Sequence, residues 1–141
     1  MKIVELKEFS NEYLDAIRKL MYQLTPEPLP FTESDCRELI ASPGSHLFLL
    51  KDENCVAGML TVSIYRTPTG RKAWIEDVVV DETFRGRGLG RMLTQYAIDF
   101  AKAQRADLLM LTSSPSRIAA NKLYQTIGFE RKITNVYRMM F

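Results

Sequence analysis

The chain reads as a mixed α/β domain around one mostly antiparallel sheet flanked by helices. Three observations predict this. The hydrophobic pattern switches repeatedly between alternation and helical spacing. Two short turns, Asp52-Glu53-Asn54 and Thr67-Pro68-Thr69-Gly70, join three successive apolar runs and mark an antiparallel meander. A glycine-rich turn then opens a long amphipathic stretch that leads to another apolar run, as in a βαβ crossover. At 141 residues there is room for a single domain, 1–141.

Each element has its own signal. Lys2 to Leu6 alternates and predicts a short strand. From Asn11 the period changes, and Leu14, Ile17, Met21 and Leu24 recur at helical spacing, giving a helix to about Gln23. Pro26, Pro28 and Pro30 forbid regular structure in the loop that follows. Thr32 with Asp35 has the form of a capping box and opens a second helix, which ends before Pro43-Gly44. Leu47 to Leu50, Val56 to Tyr65 and Ala73 to Val80 are the strands of the meander, with His46 in the turn before the first. Leu89, Met92, Leu93, Tyr96, Ala97, Phe100 and Ala101 hold one stripe of a long helix. Leu108 to Leu111 is a further strand. Ser113-Ser114-Pro115 has the residues that open a helix, and Gly128 is a natural stop. Phe129 to Lys132 and Val136 to Phe141 read as two closing strands. The last is apolar, so its edge is expected to pair with a second copy in a homodimer.

Composition excludes several classes. Hydrophobic residues form 46% and charged residues 26%, which rules out a disordered or low-complexity chain. Nineteen lysines and arginines against 17 acids leave a net charge of +2, so nothing predicts nucleic-acid binding and any anion site must be local. Cys36 and Cys55 form no CxxC pair and read as reduced thiols of a cytoplasmic protein. The start has no apolar signal segment, and no run approaches the roughly 20 residues of a membrane helix. The single histidine has no ligand cluster near it, so no metal is expected.

One segment concentrates chemistry. Arg85-Gly86-Arg87-Gly88-Leu89-Gly90-Arg91 holds three of the seven glycines between a strand and the long helix. At such a junction the first backbone N–H groups lack helical partners and the helix dipole is positive. Glycine lets an anion approach the backbone, and arginine supplies forked donors for phosphate. The segment therefore predicts a phosphate or pyrophosphate cradle. It is not a P-loop, because GxxxxGK is absent. It is not a dinucleotide fingerprint either, because the third glycine position counted from Gly86 holds Arg91.

Arg85-x-x-Gly88-x-Gly90, after Val78-Val79-Val80 and opening a helix, resembles the acetyl-CoA motif of the GCN5-related N-acetyltransferases. The run from Ala120 through Leu123-Tyr124 to Gly128-Phe129 resembles the second motif of that family. The order of elements, β-α-α-β-β-β-α-β-α-β-β, is also the family's. The resemblance implies that acetyl-CoA is the acyl donor, with its pyrophosphate on the amides of Arg85 to Gly90. Its pantetheine arm would pair with the strand edge at Val78 and Val80, an addition of a strand by a ligand. A backbone N–H near Val78 would polarise the thioester carbonyl.

The implied reaction is direct attack of a neutral amine on the thioester, which calls for a base to take the amine proton. Glu76 is the candidate, placed two residues before Val78 and so on its face of a regular strand. Asp77 becomes a candidate only if a bulge shifts the register. The resemblance gives Tyr124 the role of the acid that protonates the leaving thiolate. Arg117, Asn121 and Tyr124 are spaced to share a helix face. Many family members carry asparagine where this chain has Arg117, which is suited to a cofactor phosphate or an acidic acceptor. Asn121, one turn on, is a pantetheine contact candidate.

The acceptor is less determined. The Thr25-to-Pro30 loop, the end of the Val56-to-Tyr65 strand and the C-terminal strands are its expected walls, with Glu27, Tyr65 and Arg66 in reach. Trp74-Ile75-Glu76-Asp77-Val78-Val79-Val80 and the ending Tyr137-Arg138-Met139-Met140-Phe141 are similar to glucosamine-6-phosphate N-acetyltransferases. An amino sugar phosphate, another small amine, a peptide N-terminus and a lysine all fit. The alternative from another class is a non-catalytic acyl-CoA sensor.

Overall fold

The computed structural model describes all residues from Met1 to Phe141. Its elements are β1 (Lys2–Glu5), α1 (Asn11–Leu24), α2 (Glu33–Ala41), β2 (Ser45–Asp52), β3 (Cys55–Thr67), β4 (Gly70–Val80), a 3₁₀ turn (Glu82–Phe84), α3 (Leu89–Ala103), β5 (Leu108–Met110) and α4 (Ile118–Ile127). The five strands lie in sequence order in one sheet. The first three junctions are antiparallel, and β4 and β5 run parallel across the α3 crossover.

Local chemistry starts α1 and α2 where the sequence predicts. Ser10 caps α1 by accepting from the Tyr13 N–H at 3.1 Å. Thr32 and Asp35 satisfy each other reciprocally, Asp35 N–H to Thr32 Oγ1 at 3.1 Å and Thr32 N–H to Asp35 Oδ2 at 2.8 Å. The apolar stripes then fill two layers. Leu89, Leu93, Ala97 and Ala101 of α3 pack with Phe48, Leu60, Val62 and Ile75 on one sheet face. Leu14, Ile17 and Leu20 of α1, with Cys36 of α2, pack with Leu47, Leu49, Met59 and Val79 on the other. The alternation of the strands decides which residue goes to which layer.

Three expectations are corrected. His46 lies within β2, opposite Val62, with its Nδ1 2.7 Å from Glu5 Oε1 and its ring against Phe100. The helix expected to open at Ser113-Ser114-Pro115 begins at Ile118 instead. Ser114 is used in a turn, its carbonyl accepting from the Arg117 N–H at 3.0 Å, and Arg117 is a cap without a side-chain bond.

The two closing strands do not form. Gly128 ends α4 with φ +123°, and no backbone hydrogen bond is made beyond Phe129. Ile133, Val136, Tyr137, Met139, Met140 and Phe141 are all at least 70% exposed. A β-prone run becomes a strand only where a partner edge meets its N–H and C=O groups, and within one chain this segment meets none.

No helix is long and apolar enough to cross a membrane. No group of three or more His, Cys, Asp or Glu side chains is arranged to hold a metal ion.

Candidate active site

The site is built where β4 leaves β5. The two strands pair at Lys72–Leu108, Ala73–Leu109 and Trp74–Met110, and pairing then stops. From Ile75 onward β4 continues alongside β3 alone, to Met59–Val79 and Gly58–Val80. The β4 edge that faces away from β3 is therefore unpaired through Glu76, Asp77, Val78, Val79 and Val80. An extended ligand can take up those backbone groups as an added strand would.

A bulge sits within this segment. Thr61 stands opposite Glu76 and Met59 opposite Val79, so two residues of β4, Asp77 and Val78, face only Leu60 of β3. Asp77 takes the left-handed conformation, φ +53°. The extra residue reverses the pleat. Ile75 before it and Val78 and Val80 after it pack in the α3 layer, while Val79 packs in the α1–α2 layer. Glu76 therefore does not share the face of Val78. The expectation that it would assumed a regular strand, and the bulge removes that premise. The condition set for Asp77, a shifted register, is met.

Both carboxyls are perturbed. Burial, and then the neighbouring Asp77, push the Glu76 pKa up. Burial alone pushes Asp77 up. Each is thus more basic than a free carboxylate and better suited to accept a proton near neutral pH.

Beyond β4 the chain turns through the glycine segment. Gly86 and Gly88 have φ of +79° and +73°, a region other L residues enter at a cost. A Cβ built on either meets nothing within 4 Å, so the surface beside them is open. Gly88 is the cap of α3 and offers no side chain to the helix end. The first intrahelical bond is Met92 N–H to Gly88 O, which leaves the Leu89, Gly90 and Arg91 N–H groups directed outward. Gly90 differs from the other two, since its Cβ would make only an ordinary 3.8 Å contact with Leu123. Arg85 donates from Nε to the Val80 carbonyl at 3.1 Å, and the Arg87 guanidinium lies 5.2 Å from the Phe84 ring centre. Arg85, Arg87 and Arg91 are all exposed. This arrangement suits an anion.

Tyr124 is on α4, its ring edge-on to Phe129 at 5.9 Å. Burial raises its pKa and Arg117 opposes the rise, so the hydroxyl stays protonated and able to donate. Asn121 is committed more than its spacing implies. Its Nδ2 donates to the Ser114 carbonyl at 2.9 Å and to the Arg117 carbonyl at 2.7 Å, so its amide hydrogens hold the turn before α4. Only its carbonyl oxygen is left for a ligand.

Two residues were missed by sequence reasoning. Ser113, in the loop that diverges from β4, has a buried Oγ without a hydrogen-bond partner. Its place in the Ser113-Ser114-Pro115 run gave it the look of a helix opener and hid it. Asp81, the residue after β4, is only 2% exposed and carried no motif at all.

An open β4 edge, an outward crown of amides after it and a tyrosine on α4, whose Leu123 lies beside Gly90, suit an extended ligand with an anionic end. The chain belongs to the acetyltransferase (GNAT) family, whose model matches residues 13–129. As a member it is an acetyl-CoA-dependent N-acetyltransferase. It is 30% identical over 139 residues to glucosamine 6-phosphate N-acetyltransferase 1 of Oryza sativa, covering 92% of this chain and 79% of the rice protein. The fold matches a putative acetyltransferase from Agrobacterium tumefaciens with a TM-score of 0.88 at 23% identity, over 99% of this chain and 100% of that one. It also matches AAC(6')-Iy, solved with the bisubstrate analogue CoA-S-monomethyl-acetylneamine, with a TM-score of 0.80 at 19% identity, over 99% of this chain and 98% of that one.

Proposed function

We propose that the protein transfers the acetyl group of acetyl-CoA directly to the primary amine of a small acceptor, an amino sugar phosphate being the favoured class. The observation that carries this reading is the separation of β4 from β5 after Trp74, in the half of β4 that leads to the glycine turn. One continuous segment then offers strand-edge groups at Val78, Val79 and Val80 for the pantetheine arm. It also offers the Arg85, Gly86, Arg87, Gly88, Leu89, Gly90 and Arg91 segment for the pyrophosphate. Arg117 would add a phosphate contact, and Asn121 a carbonyl oxygen. The rice relative's name supports the acceptor class.

In this reading Glu76 takes the amine proton, directly or through water, and Tyr124 gives a proton to the departing thiolate. The raised pKa of Glu76 favours its role as a base, and Tyr124 holds the proton it would give because burial keeps its hydroxyl protonated. No covalent enzyme intermediate is needed. The compartment we propose is the cytoplasm, which keeps Cys36 and Cys55 as the free thiols they are.

We further propose a homodimer formed through Val136 to Phe141. The segment exposes apolar side chains and makes no backbone bonds of its own, while β5 leaves one edge of the sheet open. Each copy thus carries both a donor strand and a receiving edge, and two copies satisfy each other about a two-fold axis.

The experiment that tests the reaction is a panel of amines (amino sugars, amino sugar phosphates, polyamines and peptides) assayed for release of free thiol from acetyl-CoA. Turnover that peaks on amino sugar phosphates supports the acceptor class. Turnover confined to peptides overturns it.

A further inference from the structure

Asp81 is one of two buried polar residues in the chain, and the other, Thr94, is satisfied locally by the Gly90 carbonyl at 2.7 Å. A carboxylate 2% exposed must have its charge and lone pairs met by protein groups. The two oxygens are met from different directions. Oδ1 accepts from the Thr83 N–H at 2.9 Å and the Thr83 hydroxyl at 2.7 Å, which closes the turn that follows β4. Oδ2 accepts from Lys19 Nζ at 3.0 Å and Gln23 Nε2 at 3.4 Å, both on α1. Gln23 also uses its carbonyl oxygen, which accepts from the Glu82 N–H at 2.8 Å. Helix α1 thus holds this turn by three side-chain bonds.

The two tied segments lead to different parts of the expected site. Four residues after Gln23 the chain is in the Pro26–Pro30 loop, the expected acceptor wall. Four residues after Asp81 it is at Arg85, the start of the glycine segment. Between them lies one short 3₁₀ turn, with Phe84 N–H bonded to the Asp81 carbonyl at 2.8 Å. Arg85 is itself tied back to Val80. The ties to Asp81 and Val80 therefore fix where the chain enters the glycine segment that carries the outward amides. Lys19 is 67% exposed, so it closes the contact from the surface and is not part of the core.

We propose that Lys19, Gln23 and Asp81 form a positioning device that sets the acetyl-CoA turn by reference to the helix bearing the acceptor loop. None of the three is assigned to touch either substrate. The proposal rests on the reading of Arg85 to Gly90 as the cofactor cradle. Because one contact positions both sides, loosening it weakens CoA binding and, by linkage, the effect of each substrate on the other.

The test uses the full chain with Lys19→Met, Gln23→Ala and the conservative Lys19→Arg. CoA affinity is measured by calorimetry, thermal midpoint without ligand, and kcat and KM for acetyl-CoA on the best acceptor. Lys19→Met and Gln23→Ala are each expected to weaken CoA by about three- to tenfold, the scale of one hydrogen bond. KM for acetyl-CoA should rise more than kcat falls, and Lys19→Arg should restore affinity. A merely structural role would lower the midpoint and leave the CoA affinity of the folded protein unchanged. CoA affinity within about twofold of wild type in either folded variant overturns the proposal, and Gln23→Ala decides the matter if Lys19→Met does not fold. Failure of the wild-type chain to bind CoA would instead overturn the cradle reading, and this proposal with it.

Discussion

Glu76 on β4 stands directly opposite Thr61 on β3, and the bulge that begins at the next residue turns its side chain to the face away from Val78. A base in this position works across the strand edge, not alongside the residue whose N–H is expected to polarise the thioester. Glu76→Gln is expected to lower kcat/KM most between the Glu76 pKa and that of the acceptor amine, where the carboxylate is deprotonated and the amine still protonated, with partial recovery at higher pH. A pH–rate profile on one acceptor checks this. Equal losses at all pH values would remove Glu76 as the base.

Asp77 offers a finer test of the same site. Its negative charge helps hold the Glu76 pKa up, and a base active only when deprotonated loses rate as pH falls through its pKa. Asp77→Asn removes the charge and suits the left-handed backbone, which asparagine tolerates. The acid limb of the profile should move to lower pH. A shift to higher pH would contradict the pairing of these carboxyls.

Tyr124→Phe keeps the ring against Phe129 and removes only the hydroxyl. Turnover should fall by roughly 10²–10⁴-fold where chemistry limits the rate, the usual contribution of general acid catalysis, with KM for acetyl-CoA little changed. Wild-type turnover under those conditions would make the tyrosine a packing residue.

The glycines separate strain from ligand contact. Gly88→Val is strained by φ +73° whatever binds, so a loss of CoA affinity there is ambiguous. Gly90→Ala meets only an ordinary contact and replaces glycine in the first turn of a helix, where alanine is favoured by up to about 1 kcal/mol. Calorimetry should show CoA affinity falling while the thermal midpoint holds or rises. Unchanged affinity would place the pyrophosphate away from Gly90.

Asp81 predicts the acid behaviour of the fold. Burial alone would raise its pKa, but the bonds from Thr83, Lys19 and Gln23 outweigh burial and hold the carboxyl well below the usual range. With a folded pKa below the unfolded value of about 3.9, its contribution is complete above that value and is lost as pH falls below it. Asp81→Asn should cost about 1–3 kcal/mol near neutral pH, as a buried acceptor set is disrupted. It should also flatten the loss of stability below about pH 4, the range set by the unfolded carboxyl. Denaturant titrations across pH 2–7 check both.

Deletion of Val136 to Phe141 should turn a dimer into a monomer by sedimentation, with the thermal midpoint of the folded core little changed. A full-length chain that sediments as a monomer at micromolar concentration would sink the exchanged-tail assembly.

The amino-acid sequence by itself determined the order of helices and strands up to α4, the capping box at Thr32 and Asp35, and the glycine turn. These rest on interactions within a few residues of one another: the spacing of a stripe, a cap three residues on, a backbone that needs glycine at Gly86 and Gly88. The motifs at Arg85 to Gly90 and around Tyr124 were legible for the same reason. Tertiary structure alone decided the bulge at Asp77, because a bulge exists only as a mismatch between two paired strands. It decided the use of Asp81, whose partner Gln23 lies 58 residues away and gives no local pattern. It also decided that Val136 to Phe141, strand-like in composition, stays unpaired in one chain, since a strand is defined by the edge it meets and not by its own residues.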